Sequence, residues 1–85
     1  MTRVDEIVEH YPDDSFLTAD GFDEAIIGVD EDSMRVIYSV TKCLEILQAQ
    51  GMEEIDALEY FSYNVSGAYM GEKTPIWCND NMFQI

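Results

Sequence analysis

The stretch from residue 25 to residue 50, AIIGVDEDSMRVIYSVTKCLEILQAQ, decides the fold because its hydrophobic period changes halfway along. Residues 25–29 and 34–39 are short and rich in β-branched side chains, and the Asp-Glu-Asp-Ser sequence between them suits a four-residue hairpin loop. Residues 40–50 then place their apolar side chains at helical spacing. The stretch therefore predicts a β-hairpin that leads directly into an amphipathic helix.

Three small residues mark the ends and irregularities of these elements. Gly28 inside the first strand predicts a β-bulge or a close approach of two backbones. Ser39 is suited to cap the start of the helix, and Gly51 has the position expected just after its end.

The flanking sequence predicts two more helices and a third strand. Residues 2–11 carry one apolar stripe at helical spacing, and Pro12 ends that helix. Residues 12–24 have the composition of a loop, residues 53–66 again follow the helical period, and residues 74–78 indicate a last strand.

The predicted order is therefore α-β-β-α-α-β, which indicates the α+β class because no βαβ alternation repeats. We expect a small antiparallel sheet of about three strands with the helices on one face. A chain of 85 residues makes a single domain, 1–85, and we expect residues 79–85 to form a loose tail.

The charge of the chain restricts its partners. Eighteen Asp and Glu residues face four Lys and Arg, for a formal net charge of −14. Such a surface either keeps the protein soluble or competes with nucleic acid for a basic groove on another protein, and it excludes direct binding to phosphate backbones. The candidate partner-binding carboxylates are Asp13, Asp14, Asp20, Asp23, Glu24, Asp30, Glu31 and Asp32.

Catalytic, metal and cofactor chemistry finds little support in the sequence. His10 is the only histidine and has no nucleophile near it in sequence, so we expect no enzyme activity. Cys43 and Cys78 lack the spacing of a zinc site or a disulfide framework and are predicted to be free, buried thiols. The acidic stretches fail the calcium-loop pattern, so neither a metal nor a cofactor is predicted.

The predicted location is the cytoplasm. The N-terminus shows no apolar signal-peptide region, and no apolar run reaches the roughly 18 residues of a membrane span.

A second hypothesis is a small-ligand site. On a regular helix over residues 53–66, Asn64 would lie inside the apolar stripe, as a structural amide or as a ligand contact. With Tyr69, Lys73 and Thr74 it could line a pocket that sequesters a nucleotide-like signal. A third hypothesis is self-association as a homodimer, with apolar contacts supplied by Tyr60, Tyr63, Trp77 and the tail residues Met82, Phe83 and Ile85.

Two stretches resemble a known group of proteins. LTADGFDEAIIGV (residues 17–29) and YFSYNVSGAYMGEKTPIW (residues 60–77) are similar to short, acidic, uncharacterised proteins of bacteriophages and prophages, and the similarity extends over roughly residues 3–80. The resemblance implies a non-enzymatic inhibitor of host machinery or of antiviral defence, such as a DNA mimic that blocks a CRISPR effector. Our leading expectation is thus an acidic protein that binds the basic nucleic-acid-binding surface of a bacterial protein in the host cytoplasm.

Overall fold

A computed structural model of the chain describes residues 3–67 and 71–80. Its helices are α1 (Arg3–His10), α2 (Val40–Ala49) and α3 (Glu54–Tyr60), and its strands are β1 (Ile26–Asp30), β2 (Arg35–Ser39) and β3 (Ile76–Cys78). A short 3₁₀ turn, Asp23–Ala25, precedes β1, and a π-helical segment, Phe61–Ser66, follows α3. The α+β class and the order of the elements are as the sequence predicts.

The three strands form one mixed sheet in the order β1-β2-β3. β1 pairs with β2 antiparallel, as expected for a hairpin, but β3 pairs with β2 in parallel. The prediction of a purely antiparallel sheet is therefore wrong for β3. The reason is the connection through α2 and α3, which is long enough to return the chain to the end of the sheet where β2 begins.

The bulge predicted at Gly28 is present in β1. The register moves from Ile26 opposite Tyr38 to Gly28 opposite Ile37, so Ile27 is the extra residue. The side chain of Ile27 is 49% exposed.

The core lies on the face of β2 that carries Val36 and Tyr38, both of which are completely buried. The helices α2 and α3 and the π-helical segment supply the other side of this core, which places them on one face of β2. The remaining buried apolar residues are Phe22, Ala25, Ile26, Cys43, Leu47, Ala57, Phe61 and Val65.

The ends of α2 follow the predicted signals. The hydroxyl of Ser39 accepts a hydrogen bond from the backbone N–H of Lys42 at 3.1 Å, which confirms the N-cap. Gly51 has a φ of +104° just beyond the helix, a conformation that favours glycine.

The start of α2 is also held by Asp80, which belongs to the tail predicted to be loose. Its carboxylate accepts hydrogen bonds from the hydroxyl of Ser39 and from the backbone N–H of Thr41. The beginning of that tail is therefore attached to the fold, and residues 81–85 lie outside the described residues.

The helix predicted over residues 53–66 changes its character at Phe61. The π-helical segment keeps Phe61 and Val65 buried but leaves Asn64 exposed, so the predicted place of Asn64 inside the buried stripe is wrong. The cause is the wider π turn, which holds one more residue than an α turn and displaces later side chains around the axis. Gly67 suits the end of this segment because a Cβ there would lie 2.7 Å from the carbonyl oxygen of Ser62.

Candidate functional site

The carboxylates of this protein face solvent. All eighteen lie within the described residues, and fifteen of them belong to exposed residues. The three that are half-buried are Asp23, Asp30 and Asp80. An approaching molecule therefore meets the negative charge directly, without rearrangement of the fold.

The basic side chains bind backbone oxygen atoms. The guanidinium of Arg3 donates hydrogen bonds to the carbonyl oxygens of Glu24 and Ile26, at 2.7 and 2.6 Å. Arg35 and Lys73 also donate to backbone carbonyl oxygens, at 2.6 and 3.2 Å. Three of the four cations are thus used to join segments of the fold.

A hydrogen bond joins two acidic loops, the one after α1 and the one between β1 and β2. The hydroxyl of Tyr11, at the end of α1, donates a hydrogen bond of 2.9 Å to the carboxylate of Glu31 in the hairpin loop. This hydrogen bond is the main cause that raises the pKa of Tyr11, and the charges of Glu31 and Asp14 raise it further. This hydrogen bond joins the loop after α1 to the hairpin loop. We call the exposed carboxylates of these two loops the hairpin face: Asp13, Asp14, Glu31 and Asp32.

Asp30 is one of the predicted partner-binding carboxylates, but it forms hydrogen bonds within the hairpin loop. Its carboxylate accepts hydrogen bonds from the Ser33 hydroxyl at 2.8 Å and from the Asp32 backbone N–H at 3.2 Å. Both hydrogen bonds lower the pKa of Asp30, and the one from the Ser33 hydroxyl has the larger effect. Asp30 shapes the loop that presents Glu31 and Asp32.

The other three predicted carboxylates lie in the segment before β1. Asp23 and Glu24 line a cleft of about 830 Å³ that Arg3 and Lys42 also line, so opposite charges meet there. Asp20 lines a different cleft. The Tyr11–Glu31 hydrogen bond thus joins the two loops that carry four of the eight predicted residues, whereas Asp20, Asp23 and Glu24 belong to the segment before β1.

The cleft at Asp20 has aromatic walls, and we call it the aromatic cleft. Its volume is about 320 Å³, and its lining residues are Thr18, Ala19, Asp20, Phe22, Tyr60, Asn64, Val65 and Trp77. Asp20 and Asn64 are exposed, so their polar groups are available to a ligand.

Tyr38 contacts two residues that line the aromatic cleft, Ala19 and Trp77. Its hydroxyl accepts a hydrogen bond of 2.7 Å from the backbone N–H of Ala19. Its ring packs against Trp77 with centroids 5.0 Å apart, and the ring of Phe61 meets Trp77 edge-on at 5.3 Å. These contacts fix the position of Trp77 relative to the loop that carries Asp20.

The residues proposed for a nucleotide-like ligand are arranged differently. Asn64 lines the aromatic cleft, whereas Lys73 donates to backbone carbonyl oxygens of the hairpin loop. The hydroxyl of Thr74 donates to the carbonyl oxygen of Gly71 at 2.6 Å. Lys73 and Thr74 are not among the described lining residues of the aromatic cleft, and Tyr69 lies outside the described residues.

Sequence reasoning assigned Asp20 to partner binding, Asn64 to a ligand pocket, and both Tyr60 and Trp77 to a homodimer contact. It did not bring these residues together in one cleft. Tyr60 and Asn64 are four residues apart on one helix, a spacing that places two side chains next to each other, so this part of the cleft had a local signal. Trp77 reaches the cleft only because β3 lies beside β2, and no local pattern indicates that.

The two thiols and the histidine lie in different surroundings. Cys43 is completely buried, and burial, with a smaller contribution from the charge of Asp80, raises its pKa to about 12, so the thiol stays protonated at neutral pH. Cys78 is a half-buried free thiol, and His10 is exposed with its ring against Tyr11.

Within residues 3–67 and 71–80, no group of three or more His, Cys, Asp or Glu side chains is arranged to hold a metal ion. In the same part of the chain, no helix has the length and apolar character needed to cross a bilayer.

Comparison with known proteins gives no relative for this chain: no protein-family model matches it, and neither a curated protein nor a solved structure does.

Proposed function

We propose that this protein is a non-catalytic binding protein that occupies the basic, nucleic-acid-binding surface of a bacterial protein. The observation that carries the proposal is the exposure of the carboxylates: fifteen of eighteen belong to exposed residues on a chain of net charge −14. Nucleic acid presents closely spaced negative charges, and proteins bind it with Lys and Arg. A compact protein covered with carboxylates competes for the same cations.

The hairpin face is the part best suited to make first contact. Its four carboxylates are exposed and come from two loops that the Tyr11–Glu31 hydrogen bond holds side by side. Charges presented in this way attract a basic partner over a distance of about 10 Å at moderate salt, and added salt weakens that attraction. Binding should therefore be fast and strongly dependent on ionic strength.

A non-catalytic role agrees with the state of the candidate nucleophiles. The Cys43 thiol is buried and protonated, and the ring of the exposed His10 packs edge-on against Tyr11. A bacteriophage source, which the resemblance implies, would make an antiviral defence protein of the host, such as a CRISPR effector, the first target to test.

The experiment is a pull-down from bacterial lysate at low and high salt with two variants of equal charge. One variant neutralises the hairpin face (D13N, D14N, E31Q, D32N), and the control neutralises four exposed carboxylates at α3 (E53Q, E54Q, D56N, E59Q). We expect the wild type and the α3 variant to capture a nucleic-acid-binding protein at low salt and the hairpin-face variant to lose it.

Two results would contradict the proposal. One is that the wild-type protein captures no nucleic-acid-binding protein at any salt concentration. The other is that capture survives unchanged when the hairpin face is neutralised, provided that circular dichroism shows both variants to be folded.

A further inference from the structure

The aromatic cleft combines groups that together recognise a cation. Phe22, Tyr60 and Trp77 supply aromatic walls, and the carboxylate of Asp20 and the amide of Asn64 supply oxygen acceptors. Cations are attracted to the faces of aromatic rings, and a planar guanidinium both stacks on such rings and donates several hydrogen bonds to carboxylate and amide oxygens.

The charge of the cleft favours a cation as well. Asp20 is the one acidic side chain, and no basic side chain is present, among the described residues that line it. Asp23 contributes from nearby: burial is the main cause that raises the pKa of Tyr38, and the charges of Asp23 and Asp20 raise it further. The Tyr38 hydroxyl lies directly behind Ala19, so both carboxylates act on the region around the cleft.

The cleft is also preformed. Tyr38 fixes the backbone at Ala19 and packs against Trp77, and Phe61 supports Trp77 from a second direction. The π-helical segment leaves Asn64 exposed at the rim, and such segments occur frequently at functional sites. A ligand would meet these groups in place, which reduces the entropy cost of binding.

We infer that the aromatic cleft binds the guanidinium of an arginine side chain supplied by the basic partner. The inference rests on the proposed function for the source of the arginine, whereas the chemistry of the cleft is independent of it. A volume of about 320 Å³ is at the small end of ligand clefts and suits one long side chain. Arginine is enriched among the residues that anchor protein interfaces in pockets, so this contact would fix the orientation of a partner that the acidic surface attracts.

The test uses N-acetyl-arginine amide as the probe and the emission of Trp77, the only tryptophan of the chain, as the signal. N-acetyl-citrulline amide, which has nearly the same shape but no charge, is the matched ligand, and sodium chloride keeps the ionic strength equal. We expect a saturable change with the arginine probe and an affinity for the citrulline probe lower by about tenfold, as for the loss of a charge-assisted hydrogen bond.

Two variants locate the binding. Asp20→Asn should weaken binding of the arginine probe by about tenfold for the same reason. Glu9→Gln removes an equal charge from an exposed residue of α1 that is not among the described lining residues of the cleft, and it should change the affinity by less than about twofold because salt screens distant charges.

The inference is overturned if the arginine probe produces no saturable change in the wild type, if citrulline binds equally well, or if the two variants behave alike. The outcome is separable from that of the proposed function. Neutralising the hairpin face should leave binding of the arginine probe intact, and a cleft that binds no arginine leaves salt-dependent capture by the hairpin face unaffected.

Discussion

The hairpin face and the aromatic cleft each depend on one tyrosine hydroxyl, but in opposite surroundings. At the hairpin face, the hydroxyl of Tyr11 donates to Glu31 in an exposed hydrogen bond. At the aromatic cleft, the hydroxyl of the completely buried Tyr38 accepts from the backbone N–H of Ala19. The first region presents charge that acts over a distance, and the second presents fixed groups that act on contact.

Under the proposed function, the hairpin face would attract basic partners and the aromatic cleft would select among them. Exposed carboxylates gain little from precise placement because water and salt screen them. A cleft with buried supports keeps its geometry and can discriminate between a charged and a neutral ligand of one shape. Variants that affect one region and not the other test this division.

The largest effect is expected for Phe61→Ala, which removes the ring that supports Trp77 behind the cleft. Phe61 is 6% exposed, and truncation of such a buried aromatic side chain lowers the free energy of unfolding by about 3–5 kcal/mol. Urea denaturation measures the loss.

The control for this variant is Tyr63→Ala, two residues further along the π-helical segment. Tyr63 is 81% exposed, so its truncation should change the free energy of unfolding by less than about 0.5 kcal/mol. Equal losses in the two variants would contradict the burial pattern of this segment.

A smaller effect is expected for Tyr38→Phe, which leaves the backbone N–H of Ala19 without its acceptor. An unsatisfied, partly buried donor of this kind costs about 1–2 kcal/mol. Urea denaturation should show this loss, and titration with N-acetyl-arginine amide should show weaker binding because the cleft wall at Ala19 is no longer fixed. Unchanged stability together with unchanged binding would show that Tyr38 does not organise the cleft.

The third effect is the pH dependence of stability at Asp80, a carboxylate that accepts hydrogen bonds within the fold rather than only from water. The hydrogen bond from the Ser39 hydroxyl is the main cause that lowers the pKa of Asp80, and the hydrogen bond from the Thr41 backbone N–H lowers it further. Because the pKa is lower in the folded state than in the unfolded state, Asp80 stabilises the fold above about pH 4 and this stabilisation is lost as the pH falls through the lower, folded-state value.

Asp80→Asn should therefore cost about 1 kcal/mol at neutral pH, as for loss of a helix cap, and the difference from the wild type should shrink in acid. Urea midpoints measured over a pH series give the comparison, with Asp14→Asn as the exposed control. A difference between wild type and Asp80→Asn that does not change with pH would show that the carboxylate charge is not what stabilises α2.

The smallest effect is expected for Tyr11→Phe, the counterpart of Tyr38→Phe at the hairpin face. Its hydrogen bond to Glu31 is exposed, and water can replace it, so its loss should leave the free energy of unfolding almost unchanged. Urea denaturation of the two Tyr→Phe variants side by side measures the contrast, and a loss at Tyr11 as large as at Tyr38 would contradict the comparison.

Much of the fold could be predicted because its signals are local. The change of hydrophobic period between residues 25–39 and 40–50, the cap at Ser39 and the glycine at position 51 each act within a few residues, and the structure confirms them. The bulge beside Gly28 belongs to the same group.

The direction of β3 could not be predicted in this way. A three-residue strand has the same sequence pattern in a parallel or an antiparallel pair, and its direction depends on how α2 and α3 pack. The one available signal was the length of the connection, residues 40–75, which is sufficient for a parallel crossover.

The candidate site was predicted in part for similar reasons. Acidic residues in turns are expected to face solvent, so the exposure of Asp13, Asp14, Glu31 and Asp32 followed from the sequence. The π turn that exposes Asn64, and the position of Trp77 beside it in the cleft, both arise from tertiary packing.

The most direct test of the proposed function asks whether this protein and duplex DNA compete for the same surface of the captured partner. The dissociation constant of the partner for duplex DNA is measured with increasing amounts of this protein, at low and at high salt. We predict that the apparent dissociation constant rises in proportion to the concentration of this protein and that high salt weakens the competition. If the partner binds DNA and this protein at the same time, or if the competition does not depend on salt, the proposed role of the acidic surface is contradicted.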